Sequence, residues 1–142
     1  MMTDRSASTT WTGSLARGRG TVTLASSGAG KFDVSWPSRS EDPNGLTSPE
    51  ELIAAAHSSC YSMQLSHMID EAGGTPNQID TTAVVTLLVG EGITKIALTC
   101  RASVEGMDEA AFQQTAQGAK EQCPVSGLVK ANTEITLDAS LL

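Results

Sequence analysis

The run from Ser48 to His57, SPEELIAAAH, constrains this chain more than any other segment. Ser48 is a helix N-cap residue, Pro49 suits the first helical position, and Glu51 completes an S-x-x-E capping box, so a helix begins here. Its apolar pattern continues through Met68 and Ile69 and stops at Ala72-Gly73-Gly74, about six turns by helix geometry. No residue between Leu52 and Met63 is charged, which leaves that half of the helix without an evident solvent face. The pattern predicts a fold built around a central, mostly buried helix.

The flanking segments alternate in the manner of strands. Thr9 to Ser26 reads as a hairpin of two Thr- and Val-rich runs about a turn at Arg17 to Gly20, and Lys31 to Trp36 as a third short strand. Pro37 to Pro49 has the composition of a surface loop. Beyond the helix, Gln78 to Glu91 and Ile93 to Gly106 form a second meander joined by a turn at Gly90 to Gly92. Asp108 caps a helix running to about Gln122, a short helix starts at Pro124, and Asn132 to Leu141 closes the chain as a strand. Helices and strands in separate runs give an α+β fold with two antiparallel β-meanders. With 142 residues and 39% hydrophobic content, residues 1–142 are expected to make one domain. Aromatics are 4% of the chain, so its core must rest on Ala, Val, Ile, Leu and Met.

Sixteen acidic residues against nine basic ones leave a net charge of -7, with the basic residues scattered, which argues against nucleic acid and anionic membrane as partners. The polar start Met1 to Thr10 is not a secretory signal and no apolar run has the length of a membrane span, so a cytoplasmic protein is expected. Three cysteines, Cys60, Cys100 and Cys123, do not make a disulfide scaffold, and in a reducing compartment a cysteine that matters is more often catalytic or metal-binding.

Cys123 directly precedes Pro124 and so falls at a helix N-cap, a placement that lowers a thiol's pKa; its plain alternative is a small core residue. Cys60 lies in mid-helix, where burial raises the pKa, so reactivity requires a cation or donor from elsewhere. His57, Arg39, Arg17 and Arg19 are the candidates, each with the alternative of an ordinary exposed residue. Glu51 is accounted for by the capping box. Glu50 stands ten residues before Cys60, roughly 15 Å along a straight helix, and reaches it only through an intermediary such as Arg39, a bend, or a subunit interface. His57-x-x-Cys60 with Cys123 would be a minimal metal set, but the paired C-x-x-C spacing of structural zinc is absent. Cys100 reads as structural.

TSPEELIAAAHSSCYSM followed far downstream by CPVS resembles the OsmC/Ohr family of organic hydroperoxide peroxidases, most closely its osmotically inducible branch, and the resemblance covers nearly the whole chain. It implies an intertwined α+β homodimer with active sites at the interface, acting without a cofactor but with an external dithiol as reductant. By the same resemblance Cys60 is the peroxidatic cysteine, Cys123 the resolving one, Glu50 the motif glutamate and Arg39 its arginine, with Arg17 or Arg19 as second choice. The arginine would stabilise the Cys60 thiolate while Glu50 holds it by a bidentate pair. Apolar neighbours Leu52, Ile53, Met63 and Leu65 would favour alkyl hydroperoxides over hydrogen peroxide. Two other functions fit the same residues: a non-catalytic, stress-induced dimer binding hydrophobic small molecules, and a redox sensor that changes partners on oxidation.

Overall fold

Two short loops fold the N-terminal segment back on itself twice. Strands β1 (Ser8–Thr12), β2 (Arg19–Thr23) and β3 (Lys31–Val34) pair antiparallel in that order, with Trp11 opposite Gly20 and Gly20 opposite Val34. A glycine is needed at Gly20, because a Cβ there would stand 2.8 Å from the Trp11 ring and 2.9 Å from Val34. In this computed structural model, which describes all residues Met1–Leu142, the chain divides into two compact units, Met1–Leu52 and Ile53–Leu142. The first holds this meander, a short helix α1 (Trp36–Ser40) and the first turn of α2 (Pro49–Glu71). Every residue of β1 is exposed, and Val22 is the one hydrophobic side chain of this unit that reaches full burial.

The helix α1 lies inside the stretch read from sequence as loop. Its signal is local: Ser35 and Ser38 make a reciprocal capping box and Pro37 sits in the first turn, which is enough for five residues of helix. The third strand accordingly ends at Val34 rather than Trp36.

The second unit is built on a sheet of order β4-β5-β6, from β4 (Thr75–Leu88), β5 (Gly92–Glu105) and β6 (Glu134–Leu141). β4 and β5 form a long antiparallel hairpin, but β6 joins β5 in parallel, with Ala139 beside Cys100. The second sheet is therefore not an antiparallel meander throughout. A parallel neighbour requires a crossover, and α3 (Glu109–Gln122) with α4 (Pro124–Val129) supplies it.

Three periodicities meet in the core of this unit. β5 contributes Ile96, Leu98, Cys100 and Ala102 at alternate positions, α3 contributes Phe112, Ala116 and Ala119, and α2 contributes Tyr61, Leu65 and Ile69 at four-residue spacing. α3 packs closely on β6, and the Tyr61 hydroxyl donates to the Ala116 carbonyl at 3.0 Å. The expectation of a mostly buried α2 holds for one face only: Ala55, Ala56, Ser59 and Met63 are exposed. A helix packed on one side of a single layer buries one stripe, whatever the chemistry of the other.

Candidate active site

Within Met1–Leu52, the start of α2 sorts two adjacent glutamates into different tasks. Ser48 Oγ accepts the Glu51 amide at 3.1 Å, and the Thr47 hydroxyl donates to the Glu51 carboxylate at 2.6 Å, so Glu51 belongs to the cap. Glu50 points the other way and is buried, 7% exposed. Arg39, in the last turn of α1, donates to it through Nε (3.0 and 3.1 Å to the two oxygens) and Nη2 (2.8 Å). The guanidinium also lies over the Trp36 ring, 5.9 Å from its centroid. Hydrogen bonding to Glu50 raises the Arg39 pKa, so the cation is permanent and held by a fork rather than by a flexible contact.

Within Ile53–Leu142, the structure brings Cys60 and Cys123 together, with both thiols free and their sulfurs 3.2 Å apart. About 1 Å of further approach would bring them to disulfide bond length. Cys123 ends α3 and starts α4 at once: its amide donates to the Ala119 carbonyl at 2.9 Å, and the following Pro124 holds it in an extended conformation. Its side chain makes no capping bond to α4 and is left for Cys60. Burial pushes the half-buried Cys60 thiol above its ordinary pKa; the Val125 backbone amide pulls it down, and the neighbouring Cys123 pushes it up again.

His57 takes neither role considered for it from sequence. It is fully buried, with Nε2 2.8 Å from Ser126 Oγ and Nδ1 without any partner. An orphaned N–H is the costlier deficit, so the proton belongs on Nε2, donating to Ser126, and Nδ1 is a bare lone pair. No group of three His, Cys, Asp or Glu side chains is gathered as a metal site would require. Burial lowers the His57 pKa, so the unfolded chain takes up this proton before the folded one does. Below the ordinary histidine pKa of 6.5, stability should fall with pH, and urea unfolding at pH 7 and pH 5 should show a steeper loss in the native chain than in His57→Gln. Equal losses would contradict that assignment.

Arg17 and Arg19 line a cleft of about 250 Å³ in Met1–Leu52, with Ser35, Ser38 and Asn44. Cys100 lies fully buried in the core, consistent with a structural part. Of the apolar residues expected around Cys60, Leu65 is in the core and unavailable to a ligand, whereas Met63 is 68% exposed. Ser126 and Val125 were not singled out in the sequence. The signal that would have found Ser126 is a matched spacing, H-x-x-C in the helix against C-x-x-S downstream, which puts each pair on one face of its own helix.

Comparison with known proteins gives a consistent picture. The family model described as OsmC-like protein matches residues 42–138. The chain is 48% identical over 134 residues to peroxiredoxin OsmC of Escherichia coli, covering 92% of each sequence. It is 25% identical over 108 residues to the organic hydroperoxide resistance protein OhrB of Bacillus subtilis, covering 75% of this chain and 79% of that one. The crystal structure of an organic hydroperoxide resistance protein from Elizabethkingia anophelis superposes with a TM-score of 0.72 at 25% identity, covering both chains completely. No helix of this protein is long and apolar enough to cross a membrane.

Proposed function

The chain belongs to the OsmC-like protein family, and from that premise we propose that it is a thiol-dependent peroxidase reducing organic hydroperoxides to alcohols in oxidative and osmotic stress defence. The observation that carries the reading is the free pair of thiols, Cys60 and Cys123, 3.2 Å apart in a chain so similar to a named peroxiredoxin. The Cys60 thiolate attacks the terminal oxygen of R–O–O–H. The O–O bond breaks, and the departing alkoxide takes a proton to become the alcohol, leaving Cys60 as sulfenic acid. Cys123 then attacks the Cys60 sulfur, forming the disulfide and releasing water, and an external dithiol returns both cysteines to thiols. No prosthetic group enters these steps.

We assign Arg39, held by Glu50, as the cation that stabilises the Cys60 thiolate, whichever subunit supplies it. Supporting this is the guanidinium of Arg39, fixed by its fork to Glu50 at 3.0 and 2.8 Å. Residues 1–142 act as one OsmC-like domain in an intertwined cytoplasmic homodimer with active sites at the interface. The uncharged exposed stripe of Ala55, Ala56, Ser59 and Met63 and the wholly exposed β1 support the dimer, since both are faces a second copy would cover.

Purified protein with dithiothreitol should consume cumene hydroperoxide faster than hydrogen peroxide. Consumption of neither, with all thiols titrating as reduced, would overturn the peroxidase. The raised Cys60 pKa would then favour the non-catalytic binding protein.

A further inference from the structure

The turn that carries Cys123 meets the helix that carries Cys60 at two polar contacts. Cys123 Sγ lies 3.2 Å from Cys60 Sγ, and Ser126 Oγ lies 2.8 Å from His57 Nε2. His57 and Cys60 are three residues apart on one face of α2, and Cys123 and Ser126 are three apart in the turn, so the thiol pair and the His57–Ser126 pair run side by side. The other anchors of the turn are apolar: Cys123 lies in the core, and Val125 and Val129 pack against it. α4 has six residues, too few to be stable alone, and Pro124, Gly127 and Leu128 are exposed. Ser126 also borders an open cleft of about 240 Å³ with Lys120, Lys130 and Thr133.

An imidazole with a bare Nδ1 is a poor choice for a core position if packing is its only task, since an aliphatic side chain would leave no polar atom unpaired. The feature of His57 that a Leu lacks is the Nε2 bond to Ser126. We propose that the buried His57–Ser126 hydrogen bond is a latch that holds the Cys123 turn against α2 and so sets how fast, and how completely, Cys60 and Cys123 form their disulfide. His57 and Ser126 are positioning residues in this account, acting through the two cysteines. In the step concerned, the Cys60 S–O bond of the sulfenic acid breaks as the S–S bond forms, and hydroxide leaves with the Cys123 proton as water. The context of that step rests on the peroxidase reading; the proximity of the thiols does not.

The test uses the full chain with Ser126→Ala, His57→Leu and His57→Gln, whose amide nitrogen reaches about as far as Nε2. In the first arm, each protein is equilibrated with mixtures of reduced and oxidised glutathione and the Cys60–Cys123 disulfide is counted by intact mass. This arm requires no peroxide chemistry. Ser126→Ala and His57→Leu should lower the equilibrium constant for the disulfide about tenfold, the double variant should be no worse than either single one, and His57→Gln should restore most of the loss. In the second arm, excess cumene hydroperoxide should drive more Cys60 to sulfinic acid in Ser126→Ala than in the native chain, because slower closure leaves the sulfenic acid open to a second oxidation. The rate of the first oxidation, followed in a Cys123→Ser background, should change less than closure does.

A native equilibrium constant in Ser126→Ala would overturn the latch even if His57→Leu fails to fold. So would an equal loss in both chemical steps, which marks general loosening. A native chain that forms the disulfide with glutathione but consumes no peroxide would overturn the peroxidase and leave the latch standing.

Discussion

Cys60→Ser is expected to abolish hydroperoxide turnover, whereas Cys123→Ser keeps the first chemical step and stops short of the internal disulfide. A serine hydroxyl is not ionised at neutral pH and cannot be oxidised to a sulfenic acid equivalent, so no residual route remains at that position. The structural cost of Cys60→Ser should be small, since the side chain is half-buried and the exchange nearly isosteric. Cys123→Ser, given one equivalent of cumene hydroperoxide, should gain one oxygen by intact mass. The native chain should instead lose two hydrogens as its sulfurs, 3.2 Å apart, close to a disulfide. Turnover by Cys60→Ser at the native rate would transfer the chemistry elsewhere, and a native chain that gains oxygen without closing would remove Cys123 from the resolving role.

Arg39→Ala should cost roughly 10- to 1000-fold in the rate of the first oxidation near neutral pH, corresponding to the pKa change of about 1–3 that a nearby opposite charge produces. The sign follows from the thiolate being the reactive form. Burial already raises the Cys60 pKa, so removing the cation shrinks the thiolate fraction further, and the rising limb of the pH–rate profile moves to higher pH. Glu50→Gln keeps the cation but weakens the fork that orients it, so its loss should be smaller, on the order of tenfold. Arg39→Ala also leaves the Glu50 carboxylate buried without its partner, so the rates are to be read on protein shown to be folded. Arg17→Ala and Arg19→Ala, which leave the Arg39–Glu50 pair in place, should retain native rates. Native activity in Arg39→Ala with loss in either hairpin variant would move the assignment to the first hairpin.

Ser48, Pro49 and Glu51 announced α2, Asp108 announced α3, and the turn at Gly90 to Gly92 announced the β4–β5 hairpin, because caps and tight turns are set by neighbours within a few residues. The helix α1 carried an equally local signal in Ser35, Pro37 and Ser38, hidden by the turn-rich composition of the loop around it. The pairing of Cys60 with Cys123 is expected from the likeness of the motifs to a family, whereas helical spacing offers Arg39 only as one possible intermediary between Glu50 and Cys60.

The sequence by itself determined the periodic elements, their ends, and the residue types able to do thiol chemistry, since these depend on short-range sterics and hydrogen bonding. Only the tertiary structure decided that β6 runs parallel to β5, that α2 buries one face, and that His57 gives its Nε2 bond to Ser126 rather than to a cysteine. Strand direction, the choice of buried face and the partner of a buried imidazole are settled by groups brought together from 69 residues apart in the case of His57 and Ser126, and no local preference encodes them.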